Sequence, residues 1–249
     1  MIIPRISTRG YYDLKDGSTV KQKSYFLYPK REFKKISCEN QIAIMIHGLR
    51  NNNAGALAKA EIAKKRLNKI GYKNPVVGYS YDSNIRGAHL AKHAKYALRV
   101  GQKIAKKNGR HLAMFICDFK KKSPKTKIRL LGHSLGSQVI MSAVEQLAKR
   151  QENTGIIESI HFFGASITCD IPSSKKYGKM LDMIVSKKIV NYYYPKDEVL
   201  GWAEDHKFVD GPLGLCGATG KTISKYSEKR VWPKNHRFVS YAAMLSSFP

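Results

Sequence analysis

The sequence GHSLG at residues 132–136 fits the pattern G-x-S-x-G, in which a serine occupies a tight turn between a strand and a helix. The required context is present, because an apolar strand-like run at 127–131 precedes the segment and an amphipathic helix pattern at 138–149 follows it. In such a turn the glycines keep side chains from colliding, and the N-terminus of the following helix directs backbone N–H groups towards the serine. The pattern therefore predicts that Ser134 is the nucleophile of an acyl-transfer reaction.

Three other segments carry motifs that fit the same chemistry. They are His47-Gly48 after an apolar run, GYSYDS at 78–83 and DEVL at 197–200. Together with residues 132–136 they resemble an archaeal-type branch of the α/β-hydrolase superfamily, whose members carry an HG turn, a G-F/Y-S-W/Y-D-S strand end, GHSLG and a D-x-V-L acid motif. The resemblance implies a serine hydrolase with a Ser-His-Asp triad and with no metal or cofactor.

A serine nucleophile needs a histidine base, and the histidine needs a carboxylate that orients it. In α/β-hydrolases these residues follow in the order serine, acid, histidine. Asp170 and Asp197 both follow late strand-like segments. Asp197 is favoured because it follows the longer predicted strand through a proline-containing turn at the carboxyl end of the sheet, and Asp170 is the alternative acid. Glu198 could instead cap the turn that follows.

The same chain order selects among the eight histidines. Six of them precede the nucleophile, belong to its motif or lie in a predicted strand: His47, His89, His93, His111, His133 and His161. The side chain of His133 is expected to point away from the serine. His206 and His236 remain, and His236 is favoured as the base because it lies in a loop directly before the last predicted helix.

Acyl transfer also requires donors for the developing oxyanion. The first is expected to be the backbone N–H of Leu135, the residue after the nucleophile, and the second that of Leu49 in the loop after the His47-Gly48 strand. His47 is expected to order this loop through hydrogen bonds. Arg50 faces either the cleft or the solvent.

The hydropathy pattern alternates strands with helices. Predicted strands cover residues 24–28, 41–46, 75–81, 127–131, 160–163 and 189–194. Predicted helices cover residues 54–70, 87–107, 112–119, 138–149, 180–186 and 239–245, with a break at Asn108-Gly109. This alternation predicts an α/β protein with a mainly parallel central sheet and helices on both faces. We expect one α/β-hydrolase domain over residues 1–249, with residues 1–40 forming an edge hairpin of N-terminal strands.

These residues predict a carboxylic-ester hydrolase of the esterase or lipase-like kind, acting on a small-molecule or lipid-like ester. The short spacing between Ser134 and Asp197 leaves little or no room for a cap domain. The glycine-rich segment 210–220 either borders an acyl pocket or is an ordinary surface loop.

Charge supplies a competing hypothesis. The chain has 45 basic and 18 acidic residues, which give a net charge of +27. Such an excess predicts attraction to nucleic acid, to anionic membranes or to acidic substrates. The lysines, however, are scattered near element ends, where solvated charges are common. The alternative function is therefore a basic hydrolase-fold protein whose main role is binding nucleic acid or an anionic membrane.

The four cysteines are far apart and form no C-x-x-C pair, which argues against a zinc site or a redox dithiol. The sequence starts without the apolar stretch of a secretory signal, and no run approaches the length of a membrane span. These features favour a cytoplasmic protein.

Overall fold

Eight strands form one sheet in a computed structural model of the protein, which describes residues 2–85 and 91–249. The strands are β1 (Arg5–Ser7), β2 (Phe26–Tyr28), β3 (Gln41–Ile46), β4 (Val76–Ser80), β5 (Lys127–His133), β6 (Ile157–Phe163), β7 (Val185–Tyr193) and β8 (Tyr226–Arg230). Their order across the sheet is β2-β1-β4-β3-β5-β6-β7-β8. All neighbouring pairs are parallel except β1 and β2, which pair antiparallel at one edge.

Helices cover both faces of this sheet. They are α1 (Lys30–Ile36), α2 (Asn53–Lys69), α3 (Ala91–Lys122), α4 (Gly136–Leu147), α5 (Lys176–Ile184), α6 (Glu198–Asp205), α7 (Leu213–Cys216) and α8 (Phe238–Ala243), with a short 3-10 helix at Gln151–Asn153. In β3, Ile42, Ile44 and Ile46 pack with α3 and α4 on one face, whereas Ala43 and Met45 pack with α2 and α8 on the other. The unbroken apolar run of β3 is thus explained by burial on both faces.

The predicted fold class, a mainly parallel sheet with helices on both faces, is confirmed. Because the central strands are parallel, the carboxyl ends of β3, β5, β6 and β7 lie at one edge of the sheet, and the loops that follow them meet there. Residues 194–225, which connect β7 to β8, contain only the short helices α6 and α7. This connection therefore adds no cap domain.

Several parts of the secondary structure differ from the sequence prediction. Helix α1 lies within the segment predicted as an edge hairpin, and α3 continues through the predicted break at Asn108-Gly109. Strand β8 and the short helices α6 and α7 were not predicted. Residues 87–90 of the predicted helix 87–107 lie outside the described residues. The other predicted helices and strands agree with the structure to within a few residues.

Tertiary contacts explain why α3 continues through Asn108-Gly109. The Asn108 side chain is buried, donates to the carbonyl of Ile104 (2.8 Å) and accepts from the hydroxyls of Thr8 (2.6 Å) and Tyr79 (3.1 Å). Gly109 lies against α4, where a Cβ atom would approach the carbonyl carbon of Ser142 to 2.5 Å. Asn-Gly often forms a turn, but here Asn108 makes buried hydrogen bonds and Gly109 allows α3 and α4 to pack closely.

Replacing Gly109 by alanine tests this contact. Alanine favours helix formation, but its methyl group would overlap Ser142, so we expect Gly109→Ala to lower the free energy of unfolding by about 1–3 kcal/mol. Urea denaturation measures the change.

Gly201 in α6 is the matched control, because an added Cβ there meets no atom within 4 Å. Gly201→Ala should raise stability by about 0.5–1 kcal/mol. If both substitutions changed the free energy of unfolding equally, close packing of α3 on α4 would not be the reason for a glycine at position 109.

Candidate active site

Ser134 occupies a strained turn between β5 and α4. Its φ angle is +51°, in the left-handed region that non-glycine residues rarely adopt. The turn is held from both sides: Ser134 N–H donates to the carbonyl of Phe163 in β6 (3.0 Å), and its carbonyl accepts from the backbone N–H (3.0 Å) and hydroxyl (2.6 Å) of Ser137. These bonds to a neighbouring strand and to the first turn of α4 stabilise the strained backbone.

Three glycines allow close approach around this turn. A Cβ atom on Gly132 would lie 2.6 Å from Ile140 Cδ1, and one on Gly136 would overlap the carbonyl oxygen of Ile46. One on Gly48 would lie 2.9 Å from Ser134 Cβ. The two glycines of the motif thus avoid collisions with α4 and β3, whereas the sequence analysis placed the collision within the turn itself.

The side chains of Ser134, His236 and Asp197 form a hydrogen-bonded chain. His236 Nε2 lies 2.9 Å from Ser134 Oγ, and His236 Nδ1 lies 2.7 Å from Asp197 Oδ2. Asp197 caps the N-terminus of α6, and His236 lies in the loop between β8 and α8. The structure therefore brings together the nucleophile, acid and base that the sequence analysis favoured, and the geometry allows proton transfer from Ser134 to His236.

The Asp197 carboxylate is buried, with 3% of the residue exposed, and both oxygens accept hydrogen bonds. Oδ1 accepts from the N–H groups of Val199 and Leu200 (3.2 Å each), and Oδ2 accepts from the Tyr241 hydroxyl (2.6 Å) as well as from His236. Burial alone would raise the pKa of Asp197, but the bonds from His236, Tyr241 and Leu200 outweigh it and lower the pKa. The carboxylate is therefore charged at neutral pH.

His133 contacts the triad through the backbone of His236. Its Nε2–H donates to the His236 carbonyl (2.7 Å), and the two rings lie 5.1 Å apart. Burial lowers the pKa of His133 to about 3, so this ring is neutral and fixes the loop without adding a charge. The expectation that His133 points away from the serine missed this contact.

Neither alternative triad residue lies at the site. Asp170 is exposed and accepts from the Thr168 hydroxyl (2.6 Å). His206 ends α6, where its Nδ1–H donates to the carbonyl of Trp202 (2.9 Å). Their partners lie within four residues along the chain, so both side chains have local roles.

The remaining histidines are structural, exposed or outside the described residues. His89 is not described, and His93 is exposed. His111 is hydrogen-bonded to the Tyr12 hydroxyl (2.8 Å), and buried His161 packs against Phe248 with a ring distance of 4.7 Å. None of His93, His111 and His161 contacts Ser134 or Asp197 through a hydrogen bond in the described part of the chain.

The loop after β3 lies beside Ser134. His47 stacks on Tyr81, with ring centroids 4.5 Å apart, and its Nδ1–H donates to the carbonyl of Gly48 (2.9 Å). The Asn51 side chain donates to the carbonyls of Gly48 (3.0 Å) and Leu49 (2.9 Å). These bonds hold the carbonyl groups of Gly48 and Leu49 towards Asn51 and thereby fix the backbone of the loop.

Leu49 and Leu135, the expected oxyanion donors, line the same cleft as Ser134. Within residues 2–85 and 91–249, neither backbone N–H donates to a protein acceptor. An oxyanion hole needs backbone donors that have no internal acceptor, and both amides meet this one condition.

The cleft around Ser134 has a volume of about 780 Å³. Most of its apolar lining comes from α3 and the α6 region, namely Ala94, Leu98, Val199, Leu200, Trp202, Ala203 and Val209, and Leu49, Leu135 and Phe238 complete it. Its basic lining consists of Arg50, Lys59 and Arg237, so Arg50 lies at the cleft while it is also exposed to solvent. The glycine-rich segment 210–220 does not line it, because α7 packs instead on β7, with the Asn191 side chain donating to the carbonyl of Leu213 (2.9 Å).

Among the residues that the structure describes, no cluster of three or more His, Cys, Asp or Glu side chains suits a metal ion. No described helix is long and apolar enough to cross a membrane.

Sequence comparisons match parts of the chain. Residues 88–205 match a family model described as a protein of unknown function, DUF726. This range contains Ser134 and Asp197 and ends before His236. An uncharacterized membrane protein of Caenorhabditis elegans is 37% identical over 105 residues, which make up 42% of this chain and only 16% of that relative.

Similar solved structures include a lipase-esterase related protein from Clostridium acetobutylicum, with 9% identity, a TM-score of 0.42, and 84% of this chain and 91% of the other covered. An α/β serine hydrolase without a lid from Xanthomonas campestris has 14% identity, a TM-score of 0.42 and coverage of 82% and 77%. Trichoderma reesei cutinase has 13% identity, a TM-score of 0.38 and coverage of 86% and 78%.

The hydrogen bond from Tyr241 to Asp197 can be tested by removing one hydroxyl. Tyr241→Phe leaves a buried carboxylate with one donor fewer, so we expect a loss of about 1–3 kcal/mol in the free energy of unfolding at pH 7. The bond favours the charged carboxylate and lowers its folded-state pKa. Its contribution is therefore present above the unfolded value of about 3.9 and lost as pH falls through the lower folded pKa.

Tyr72→Phe is the control, because the Tyr72 hydroxyl is buried in the same cluster and has no hydrogen-bond partner among the described residues. Its removal should change stability by less than about 0.5 kcal/mol. Urea titrations at pH 7 and below pH 4 compare both variants with the wild type. A Tyr241→Phe penalty that stays constant over this range would contradict the proposed bond to a charged carboxylate.

Proposed function

We propose that this protein hydrolyses carboxylic esters through a Ser134-His236-Asp197 triad and an acyl-enzyme intermediate. The observation that carries the proposal is the continuous chain of hydrogen bonds from Ser134 Oγ through the two nitrogens of His236 to a buried, charged Asp197. A buried carboxylate is costly unless it has partners, and here the partners orient an imidazole towards a serine on a strained turn.

In the proposed acylation step, Ser134 Oγ attacks the ester carbonyl carbon while His236 Nε2 accepts the hydroxyl proton. The backbone N–H groups of Leu135 and Leu49 stabilise the negative oxygen of the tetrahedral intermediate. When the C–O bond to the alcohol breaks, His236 gives its proton to the departing oxygen. Asp197 stabilises the imidazolium between these two transfers.

In the deacylation step, a water molecule replaces the alcohol. His236 Nε2 accepts a proton from water, and the resulting hydroxide attacks the acyl carbonyl carbon. The proton then passes to Ser134 Oγ as the acyl-serine bond breaks, which restores the free serine and releases a carboxylic acid. The net reaction converts an ester and water into an acid and an alcohol.

The substrate expected from the cleft is a small-molecule or lipid-like ester. The cleft volume of about 780 Å³ and the apolar side chains from α3 and α6 suit an acyl chain of short to medium length. An esterase or lipase-like carboxylesterase is therefore the favoured enzyme class. Thioesters, lactones and amides react through the same intermediate and are competing substrates, and membership of the archaeal-type branch stays a prediction.

The charge of +27 favours a second candidate function, which is binding of nucleic acid or of an anionic membrane. Titration with duplex DNA, and separately with phosphatidylserine vesicles, at increasing salt tests it. A steep loss of affinity with salt is expected from counterion release if the charge drives binding to DNA. Absence of binding to both at low salt would contradict this candidate function.

The role of Ser134 is tested with a series of p-nitrophenyl esters of increasing acyl length. We expect Ser134→Ala to lower kcat by at least about a thousandfold, because removal of the nucleophile removes the acyl-enzyme route. Turnover by the wild type is expected to be highest for short to medium acyl chains.

Ser174→Ala is the matched control, since this serine is exposed and lies outside the cleft. It should retain wild-type turnover of every ester. Equal turnover by the wild type and Ser134→Ala would show that Ser134 is not the nucleophile.

A further inference from the structure

Three basic side chains share the active-site cleft: Arg50 after β3, Lys59 in α2 and Arg237 at the start of α8. We call them the cation cluster. In the part of the chain that the structure describes, none of the three forms an ion pair with an acidic side chain. Arg50 and Arg237 are exposed, whereas Lys59 is half-buried.

Two members of the cation cluster, Lys59 and Arg237, are close enough for their positive charges to repel each other. Burial, followed by repulsion from Arg237, lowers the pKa of Lys59. Acidic Glu198 also lines the cleft. It is the first residue of α6, whereas Lys59 and Arg237 belong to α2 and to the start of α8. An anion placed between Lys59 and Arg237 would relieve their repulsion.

The other wall of the cleft has a different character. Its apolar residues come from α3 and α6, for example Leu98 and Trp202. The Gln102 side chain in α3 donates to the carbonyl of Phe208, just after α6, at 3.0 Å, which ties these two elements together. The cation cluster, by contrast, belongs to the side where α2 packs on α8. The α3 and α6 side of the cleft is therefore mainly apolar, with Glu198 as its acidic member, whereas the α2 and α8 side carries Lys59 and Arg237 beside Phe238.

The direction of proton transfer indicates which half of an ester substrate faces each side of the cleft. His236 gives its proton to the departing alcohol oxygen, so the alcohol part must lie beside His236. Arg237 is the next residue along the chain, and its charge acts on Lys59. The acyl part then extends towards the apolar wall, where burial of its chain is favourable.

We propose that the cation cluster binds an oxyanion, a carboxylate or a phosphate, carried by the alcohol part of the ester substrate. This inference rests on the proposed ester hydrolysis and narrows its substrate class to anionic esters. The inference also gives three of the chain's basic residues a function in substrate binding. Arg50 and Arg237 can form paired hydrogen bonds with an oxyanion, and Lys59 provides a further positive charge.

Matched esters test this charge preference. The butyrate ester of para-hydroxybenzoate carries a carboxylate, and the butyrate ester of para-hydroxybenzamide is its neutral counterpart. A butyrate ester of glycerol phosphate, compared with neutral monobutyrin, tests phosphate as the source of the oxyanion. We expect kcat/KM of the wild type to be at least about tenfold higher for the anionic member of one or both pairs, and the ratio to fall as salt rises.

The double variant Lys59→Gln with Arg237→Gln should reduce this anionic-to-neutral ratio at least about tenfold. Lys65→Gln is the control, because Lys65 is an exposed lysine of the same helix and does not line the cleft. It should keep the wild-type ratio. A wild-type ratio near one for both pairs, or an equal loss of ratio in Lys65→Gln and the double variant, would overturn the proposal.

A binding measurement separates failure of this inference from failure of ester hydrolysis. Butyl phosphate and butyrate are titrated calorimetrically into Ser134→Ala, with and without the two glutamine substitutions. Salt-sensitive binding that the substitutions weaken at least about tenfold supports the anion site even if no ester is turned over. Ester turnover without charge preference, and without such binding, supports the hydrolase and contradicts the anion site.

Discussion

A buried negative charge is the constraint on which the site depends. Asp197 is almost fully removed from water, so its carboxylate needs a donor at each available position. The N-terminus of α6 supplies two backbone donors, Tyr241 supplies a hydroxyl and His236 supplies Nδ1–H. The same bonds that stabilise the charge also fix the orientation of the imidazole, and therefore the direction in which Nε2 faces Ser134.

The central features of the fold and site could be predicted from the sequence because they rest on local pattern and on chain order. GHSLG between an apolar strand and an amphipathic helix is a local signal, and the left-handed backbone of Ser134 agrees with the expected tight turn. Asp197 was favoured because it follows a long predicted strand at the carboxyl end of the sheet, and His236 because it follows the acid in chain order and lies in the loop before the last predicted helix. The observed hydrogen-bonded chain agrees with that reasoning, whereas its catalytic role is proposed.

The features that the sequence did not predict depend on tertiary contacts or lack an apolar signal. Strand β8 is an edge strand with mostly exposed and charged side chains, so its composition does not alternate as a half-buried strand does. Asn108-Gly109 has the composition of a turn, but burial of Asn108 and contact with α4 retain the helix. The bonds of His133 and Tyr241 join residues far apart in sequence, which no local pattern reveals.

Covalent labelling can show whether Ser134 is an activated nucleophile. The folded protein is treated with a fluorophosphonate, which reacts with a serine whose hydroxyl is activated by a neighbouring base, and the modified peptide is identified by mass spectrometry. We expect a single adduct on Ser134 that is absent from His236→Ala. A folded protein that stays unlabelled, or that is labelled at another residue, would contradict it.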